Sequence, residues 1–182
     1  MNVLVVTNDF PPKVGGVNYY VSELVRRFPP GTTTVFASTW PNASEFDKTF
    51  PQCVVRWPTR TLLPTPSVCA EAVRLAREVR ADIVLCGASL PLAFVGQSVS
   101  RRCGIPYVAC THGLELAAAK VAPGRAFLRR LFKDPGTRAL RRRRARKLAQ
   151  SLCSQRPHDK AVVPRCAQWR LCSPLAENGH IE

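Results

Sequence analysis

The sequence has no hydrophobic run long enough to cross a membrane. A membrane-spanning helix needs about 20 consecutive apolar residues, and no stretch of the 182-residue chain approaches that length. The first apolar run, residues 3–6, follows no basic segment, which predicts a strand rather than a secretory signal peptide. We therefore expect a cytoplasmic protein, and 46% hydrophobic residues are enough for a folded core.

Cysteine is frequent, with eight residues, but the spacing that zinc sites require is missing. The two nearest cysteines, Cys166 and Cys172, lack both zinc-ligand spacing and suitable histidines. Cys53, Cys86 and Cys110 fall in apolar, strand-like segments, where cysteine packs as a small hydrophobic residue. These observations predict free thiols in a reducing compartment and no metal site.

Acidic residues are scarce in the last third of the chain. Residues 1–116 carry a net charge of +3, whereas residues 117–182 carry +12. Only eight of the 50 residues from 133 onward are Leu, Ile, Val or Phe, which is below the ~20% typical of chains that fold alone. We therefore predict that residues 133–182 form a poorly structured basic tail.

The first 116 residues alternate between strand and helix patterns. Strands are predicted at residues 3–6, 32–38, 52–57, 83–87 and 105–111, several of them apolar throughout, as in a parallel sheet buried on both faces. Apolar residues at helical spacing predict helices at residues 17–28, 68–79 and 90–103. Residues 40–50 are predicted as a polar loop. The alternation indicates an α/β fold, a Rossmann-like doubly wound parallel sheet.

The loop after the first predicted strand, residues 8–16, is one candidate site, because parallel sheets bind ligands beyond the carboxyl ends of their strands. Gly15 and Gly16 directly precede a helix, where free amides and the helix dipole favour a phosphate. Asp9 stands at the end of the strand and can accept a hydrogen bond from a sugar hydroxyl. Alternatively, the glycines permit a tight turn and Asp9 caps it.

The second candidate site, T-H-G-L-E at residues 111–115, follows the last predicted strand. His112 can hydrogen-bond hydroxyls or share a charge with a substrate, and Glu115 can orient it or bind a second hydroxyl. The alternative is a surface histidine beside a helix cap. No catalytic triad order, carboxylate pair or metal-ligand cluster stands out, so we expect no cofactor and no metal.

Together these segments resemble the N-terminal, acceptor-binding half of family 4 retaining glycosyltransferases, which have the two-domain GT-B architecture. The resemblance rests on T-N-D-F-P-P-K-V-G-G-V-N-Y-Y-V-S-E-L at residues 7–24, R-T-L-L-P-T-P at residues 60–66, and T-H-G-L-E. Within the family, the sequence is most similar to actinobacterial mannosyltransferases that transfer mannose from GDP-mannose to phosphatidylinositol mannosides. The likeness covers residues 1–132, which we expect to form the glycosyltransferase domain.

The resemblance implies a role for each matching residue. Gly15 and Gly16 would line the phosphate region, and Asp9 would contact the acceptor near its attacking hydroxyl. His112 would hold a hydroxyl of the transferred sugar during an oxocarbenium-like transition state. The other candidates for substrate contact are Asn8, Tyr20, Thr111 and Glu115. Tyr19 is the alternative to Tyr20, since one of this pair is expected in the core.

The chain departs from the family pattern after residue 132. The family has a second Rossmann-like domain that makes most contacts with the nucleotide sugar, and residues 133–182 have no such character. Catalysis needs both domains closed around the donor, so the chain alone is expected to be inactive. The Arg-, Pro- and Ser-rich tail suggests a frameshift between residues 132 and 136. The alternative is a genuine basic tail that binds anionic lipid or nucleic acid.

The expected partners of the full-length family are a nucleotide sugar and a lipid-linked acceptor. The segment F-L-R-R-L-F at residues 127–132 either lies on an anionic surface at the inner face of the plasma membrane or packs on the sheet. The tail has only Trp169 for stacking on bases, so we expect no specific nucleic-acid binding.

Overall fold

The computed structural model describes residues 1–88 and 90–110, which form a parallel sheet flanked by helices. Numbered in chain order, the strands are β1 (Val3–Thr7), β2 (Thr33–Ser38), β3 (Cys53–Trp57), β4 (Ile83–Cys86) and β5 (Tyr107–Ala109). The helices are α1 (Gly16–Arg26), α2 (Ala43–Thr49), α3 (Pro66–Glu78) and α4 (Leu92–Cys103). The strand order is β3-β2-β1-β4-β5. The predicted α/β, Rossmann-like fold is confirmed.

The central strand β1 explains why its sequence is apolar throughout. It pairs in parallel with β2 on one side and β4 on the other, so that Val5 lies between Val35 and Leu85. Successive side chains of a strand point to opposite faces of the sheet. Because helices cover both faces, all five residues of β1 are buried. An uninterrupted run of apolar residues is the pattern that such a strand requires.

The two faces of the sheet carry two separate groups of core residues. Leu4 and Val6 of β1 face the apolar sides of α3 and α4. Val3 and Val5 pack in the group that includes the apolar side of α1. The helices therefore cover opposite faces, as in a doubly wound sheet. None of the helices in the part of the chain described here is both long and apolar enough to span a bilayer.

Two glycines permit close packing around β4. A Cβ on Gly96 of α4 would stand 2.7 Å from the Cys86 sulfur and 2.9 Å from a ring carbon of Tyr107. A Cβ on Gly87, just after β4, would stand 2.5 Å from Oγ1 of Thr7. Real Cβ atoms do not approach other atoms so closely. The packing of α4 on the sheet, and of β4 beside β1, therefore depends on glycine at these positions.

The prediction of a polar loop at residues 40–50 is wrong for most of that range, because helix α2 lies there. Its apolar contacts come from Phe46 and from Phe50 at its end, whose rings lie 6.0 Å and 5.1 Å from the ring of Phe10. A seven-residue helix has little stability of its own and depends on such tertiary contacts. The loop after β1 supplies them, and this long-range contact is not visible in the local sequence.

Candidate functional site

The loop between β1 and α1, residues 8–16, leaves the carboxyl edge of the sheet at its topological switch point. From β1 the chain first builds the sheet toward β2 and β3, and then crosses to β4 and β5 on the other side. The crevice between strands whose connections run in opposite directions is where open α/β sheets bind ligands. The fold therefore places this loop, including Asp9, Gly15 and Gly16, at the expected position for a binding site.

Side-chain donors hold four carbonyl oxygens of this loop. Proline has no N–H group, so the Pro11–Pro12 pair cannot be tied to its surroundings through backbone donors. The four bonds are Ser38 Oγ to Asn8 O at 3.0 Å, Thr7 Oγ1 to Asp9 O at 3.1 Å, Arg56 Nη2 to Pro11 O at 2.5 Å, and Asn18 Nδ2 to Lys13 O at 2.5 Å. Contacts from β1, β2, β3 and α1 thus fix the loop along its length.

Asn8, a predicted substrate contact, joins the loop to the segment that precedes α3. Its side-chain Oδ1 accepts from the Leu62 amide at 2.5 Å, and its Nδ2 donates to the Leu62 carbonyl at 3.5 Å. Leu62 is itself fully buried. In this structure the Asn8 side chain therefore fixes the position of two loops relative to each other.

Asp9 forms an ion pair with Lys13 in the same loop. Oδ1 of Asp9 lies 2.9 Å from Nζ of Lys13, and the two side chains are 26% and 35% exposed. Lys13 also lies over the ring of Trp40, with Nζ 5.2 Å from the ring centroid. A second cation, Arg60, lies 5.5 Å from the same centroid. The Asp9 carboxylate is thus partly accessible and paired with one cation, and it can accept a hydrogen bond from a bound hydroxyl.

Gly15 and Gly16 open helix α1 without a capping side chain. Gly15 is the N-cap residue and makes no side-chain cap bond, and the first turn holds no acidic residue. The first helical bond runs from the Tyr19 amide to the Gly15 carbonyl at 3.0 Å. Amides of a first helical turn have no partner within the helix. This end of α1 therefore presents donors and a positive dipole end to an anion.

The fold itself does not require glycine at these two positions. A Cβ on Gly16 would meet nothing within 4 Å, and one on Gly15 would meet Asn18 Oδ1 at an ordinary 3.5 Å. The φ angle of Gly15 is 163°, an extended conformation that other residues adopt. Neither glycine lies in the left-handed region of φ that Gly31 and Gly104 occupy. The missing side chains leave open space on the outside of the loop.

The two adjacent tyrosines of α1 lie in different environments. Tyr20, the predicted substrate contact, is half-buried and packs against the core group on the α1 face. Tyr19 is 70% exposed, and Val14 of the neighbouring loop is 97% exposed. The exposed aromatic ring beside the glycines is therefore that of Tyr19.

Three other predicted site residues, Thr111, His112 and Glu115, lie outside the described residues, as do the segment at residues 127–132 and the basic tail. The last described residue, Cys110, donates its amide to the Cys86 carbonyl at 2.9 Å. The chain therefore arrives at residue 110 beside the carboxyl end of β4, at the same edge of the sheet as the loop after β1.

Sequence reasoning missed Arg56, which lies beneath the loop. Its guanidinium makes a two-pronged contact with Asp47 of α2 at 2.9 Å and 2.7 Å, and its side chain is only 11% exposed. One signal was present in the sequence, because a charged residue interrupts the otherwise uncharged strand C-V-V-R-W. Asn18, in the first turn of α1, was also missed.

The cysteines of the described residues do not contribute to this site. Cys53, Cys69, Cys86, Cys103 and Cys110 are free thiols. Burial raises the pKa of Cys110 to about 12 and raises that of Cys86 further, so neither thiol ionises near neutral pH. Within residues 1–88 and 90–110, no three His, Cys, Asp or Glu residues are grouped as metal ligands would be.

Comparison with known proteins identifies the family of the chain. The model of a family described as Glycosyltransferase Family 4 matches residues 14–156, which is more than half of the chain. The chain belongs to this family. The match ends beyond residue 132, the predicted end of the glycosyltransferase domain.

The curated relatives that this chain resembles are mannosyltransferases from actinobacteria. A GDP-mannose-dependent monoacylated alpha-(1-6)-phosphatidylinositol monomannoside mannosyltransferase from Corynebacterium glutamicum is 37% identical over 131 residues, covering 70% of this chain and 34% of the relative. GDP-mannose-dependent alpha-(1-6)-phosphatidylinositol monomannoside mannosyltransferases from Mycolicibacterium smegmatis and Mycobacterium tuberculosis are 39% and 36% identical, covering 72% and 71% of this chain and 36% and 35% of the relatives. The predicted resemblance is confirmed. The chain spans about a third of the length of these relatives.

Proposed function

We propose that this chain is the acceptor-binding part of a retaining GT-B glycosyltransferase that transfers mannose from GDP-mannose to a phosphatidylinositol mannoside-type lipid. Relatives at 36–39% identity carry this donor and acceptor class in their names. The loop at residues 8–16 stands where the fold favours a ligand, and its residues suit a substrate that has both phosphate and hydroxyl groups.

The glycine pair at the start of α1 is the observation that carries the proposal. The helix end has no side-chain cap and no acidic first turn, and glycine is not needed there for backbone or packing reasons. Phosphate oxygens accept hydrogen bonds from first-turn amides and are stabilised by the helix dipole. A phosphate approaches those amides closely only if no Cβ stands in the way. Gly15 and Gly16 therefore form the phosphate contact.

Asp9 contacts the acceptor near the hydroxyl that attacks the donor. Its accessible carboxylate accepts the hydrogen bond of that hydroxyl, and Lys13 holds the carboxylate in position from 2.9 Å. His112 holds a hydroxyl of the transferred sugar, and Thr111 and Glu115 also contact the substrate. Tyr20, or the more exposed Tyr19, flanks the acceptor, and Asn8 contacts it or shapes the loop that does.

The same proposal covers the division of the chain, its activity and its contact with a membrane. Residues 1–132 form the glycosyltransferase domain, and residues 133–182 are a separate basic tail. The chain alone transfers negligible mannose, because bound geometry and stabilisation of the diphosphate charge come from both domains of a GT-B enzyme. The segment at residues 127–132 associates with an anionic membrane surface. Measurable transfer from GDP-mannose by the purified chain would contradict the inactivity.

The phosphate contact is tested by nuclear magnetic resonance on the full chain labelled with ¹⁵N-glycine, which gives signals from 10 glycines. Inorganic pyrophosphate is the probe. We expect the resonances of Gly15 and Gly16 to shift with saturation, while those of Gly31 and Gly104 stay in place. The latter two precede β2 and β5, at the amino edge of the sheet. Shifts of equal size at all four glycines, or none at Gly15 and Gly16, contradict the proposal.

A further inference from the structure

Arg56 is placed to control the loop that binds the phosphate. Among the strand residues that the structure describes, it is the one with a charged side chain. Its contact with Asp47 is a fork of two bonds, Nε to Oδ2 at 2.9 Å and Nη2 to Oδ1 at 2.7 Å. A paired, two-pronged contact of this kind fixes the plane of the guanidinium group.

The rest of the guanidinium group reaches the backbone of two other elements. Nη1 donates to the Ser38 carbonyl at the end of β2 at 2.9 Å, and Nη2 donates to the Pro11 carbonyl at 2.5 Å. Its central carbon also lies 5.4 Å from the ring centroid of Phe10. One largely buried side chain thus joins β2, α2 and the middle of the loop.

The contact on Pro11 matters because of where it falls in the loop. Pro11 and Pro12 have no N–H to donate, and they separate Asp9 from the glycines. Thr7 holds the loop before the prolines, and Asn18 holds it after them. Arg56 holds the part between, so its bond helps to fix the path along which the chain reaches Gly15.

We propose that Arg56 is a positioning residue, which acts through the Pro11 carbonyl to hold Gly15 and Gly16 where their amides meet a phosphate. This inference rests on the proposed function of the loop. It assigns Arg56 no contact with the substrate. It predicts that the geometry of the fork, and not the positive charge alone, determines the affinity for phosphate.

The test compares Arg56→Lys with Arg74→Lys in the full chain. Lysine keeps the charge and loses the fork. Arg74 is a matched control, because it also pairs with carboxylates, Glu71 and Glu78, but lies on the exposed side of α3. We expect Arg56→Lys to bind pyrophosphate about tenfold more weakly, as when a coupling of ~1.4 kcal/mol is lost. Arg74→Lys is expected to bind as the unchanged chain does.

Two further readouts separate positioning from folding. The resonances of Gly87 and Gly96, which lie in crowded packing, report whether each variant is folded. If Arg56→Lys does not fold, Asp47→Asn is measured instead, because it keeps Arg56 and weakens the fork. The same drop in affinity is expected.

Chemical rescue is the second readout. If Arg56→Ala folds, added ethylguanidinium should restore its affinity for pyrophosphate and leave that of the unchanged chain as it was.

The outcomes distinguish this inference from the proposed function. If the unchanged chain shows no pyrophosphate shift at Gly15 and Gly16, the proposed phosphate contact fails. The positioning role is then tested in spectra recorded without pyrophosphate. In these spectra Arg56→Lys should move or broaden the Gly15 and Gly16 resonances, and Arg74→Lys should not. If Arg56→Lys binds pyrophosphate like the unchanged chain, or leaves both resonances in place without ligand, the positioning role is overturned.

Discussion

Two pairs of glycines lie in contrasting parts of the molecule. Around Gly87 and Gly96, neighbouring atoms stand within 3 Å of where a Cβ would lie, so the packing of β4 and α4 requires glycine. Around Gly15 and Gly16, no such atom is near and the backbone is one that alanine adopts. The first pair is required for packing within the fold, whereas the second pair leaves open space in which a ligand can bind.

Because of this contrast, substitutions at the two pairs should have different effects on stability and on ligand binding. A substitution at a crowded glycine displaces core atoms and costs free energy of unfolding. The same substitution at an open glycine in a helix removes backbone entropy from the unfolded chain and stabilises the protein. Loss of ligand binding at an open glycine, with stability unchanged or higher, therefore points to a contact with a ligand.

The largest loss of stability is expected for Gly96→Val. The new side chain would overlap the Cys86 sulfur, at 2.7 Å from its Cβ, and the Tyr107 ring. We expect the free energy of unfolding to fall by about 3 kcal/mol, measured by urea denaturation. Ser98→Val, on a less buried side of the same helix, is the control for the helix propensity of valine and should cost less than ~1 kcal/mol. Equal losses at both positions would contradict the packing argument.

A smaller loss is expected for Gly87→Ala, because alanine adds a single carbon atom whereas valine at Gly96 adds three. The new methyl carbon would lie 2.5 Å from Oγ1 of Thr7, and the displacement should cost about 1–2 kcal/mol. Removing that oxygen with Thr7→Ala relieves the shortest contact, whereas Cβ of Thr7 remains 2.8 Å from the new carbon. In a double-mutant cycle the two changes should therefore cost less together than the sum of their separate effects. Strict additivity would mean that the two groups do not meet.

The crowded region should also protect its thiols from reagents. Alkylation depends on the thiolate, and burial raises the pKa of Cys110 to about 12 and that of Cys86 further. We expect the exposed Cys53 to react with iodoacetamide more than tenfold faster than either at pH 8, measured by mass spectrometry of the separate peptides. Comparable rates would show that the core around β4 opens readily.

The same two thiols give the stability of the protein a pH dependence. In the unfolded chain they ionise near the ordinary cysteine pKa of about 8.5, whereas in the folded chain they stay protonated up to the raised values. Above pH ~8.5 the unfolded state therefore binds fewer protons, and the free energy of unfolding falls as the pH rises. Replacing both cysteines with alanine should flatten this alkaline slope in urea denaturation, and an unchanged slope would contradict the assignment.

The sequence was sufficient for the strands and for the position of the loop. Continuous apolar runs such as residues 3–6 and 83–87 indicate buried parallel strands, and these lie at the centre of the sheet. Helix α2 was missed because a seven-residue helix depends on distant contacts, here with Phe10. The sequence did not decide which of Tyr19 and Tyr20 lies in the core. They are adjacent on α1, and only the packing of the helix on the sheet shows which of them is buried.

The positioning contact of Arg56 was beyond what the sequence can show. It depends on the parallel register that places Arg56 beside Ala37, next to the end of β2 and close to the loop after β1. It also depends on α2, which supplies Asp47 from a segment predicted to be a loop. Such contacts join segments far apart in the chain, and no local periodicity reports them.

The smallest change in stability is expected at Gly16, where a substitution tests the phosphate contact itself. Gly16→Ala should leave the free energy of unfolding unchanged or raise it by about 0.5 kcal/mol, yet weaken pyrophosphate binding about tenfold or more. Gly104→Ala is the opposite control, since its φ of +69° makes alanine strained there; it should lower stability by ~1 kcal/mol and leave binding unchanged. If Gly16→Ala binds pyrophosphate as the unchanged chain does, the open glycines do not form the phosphate contact.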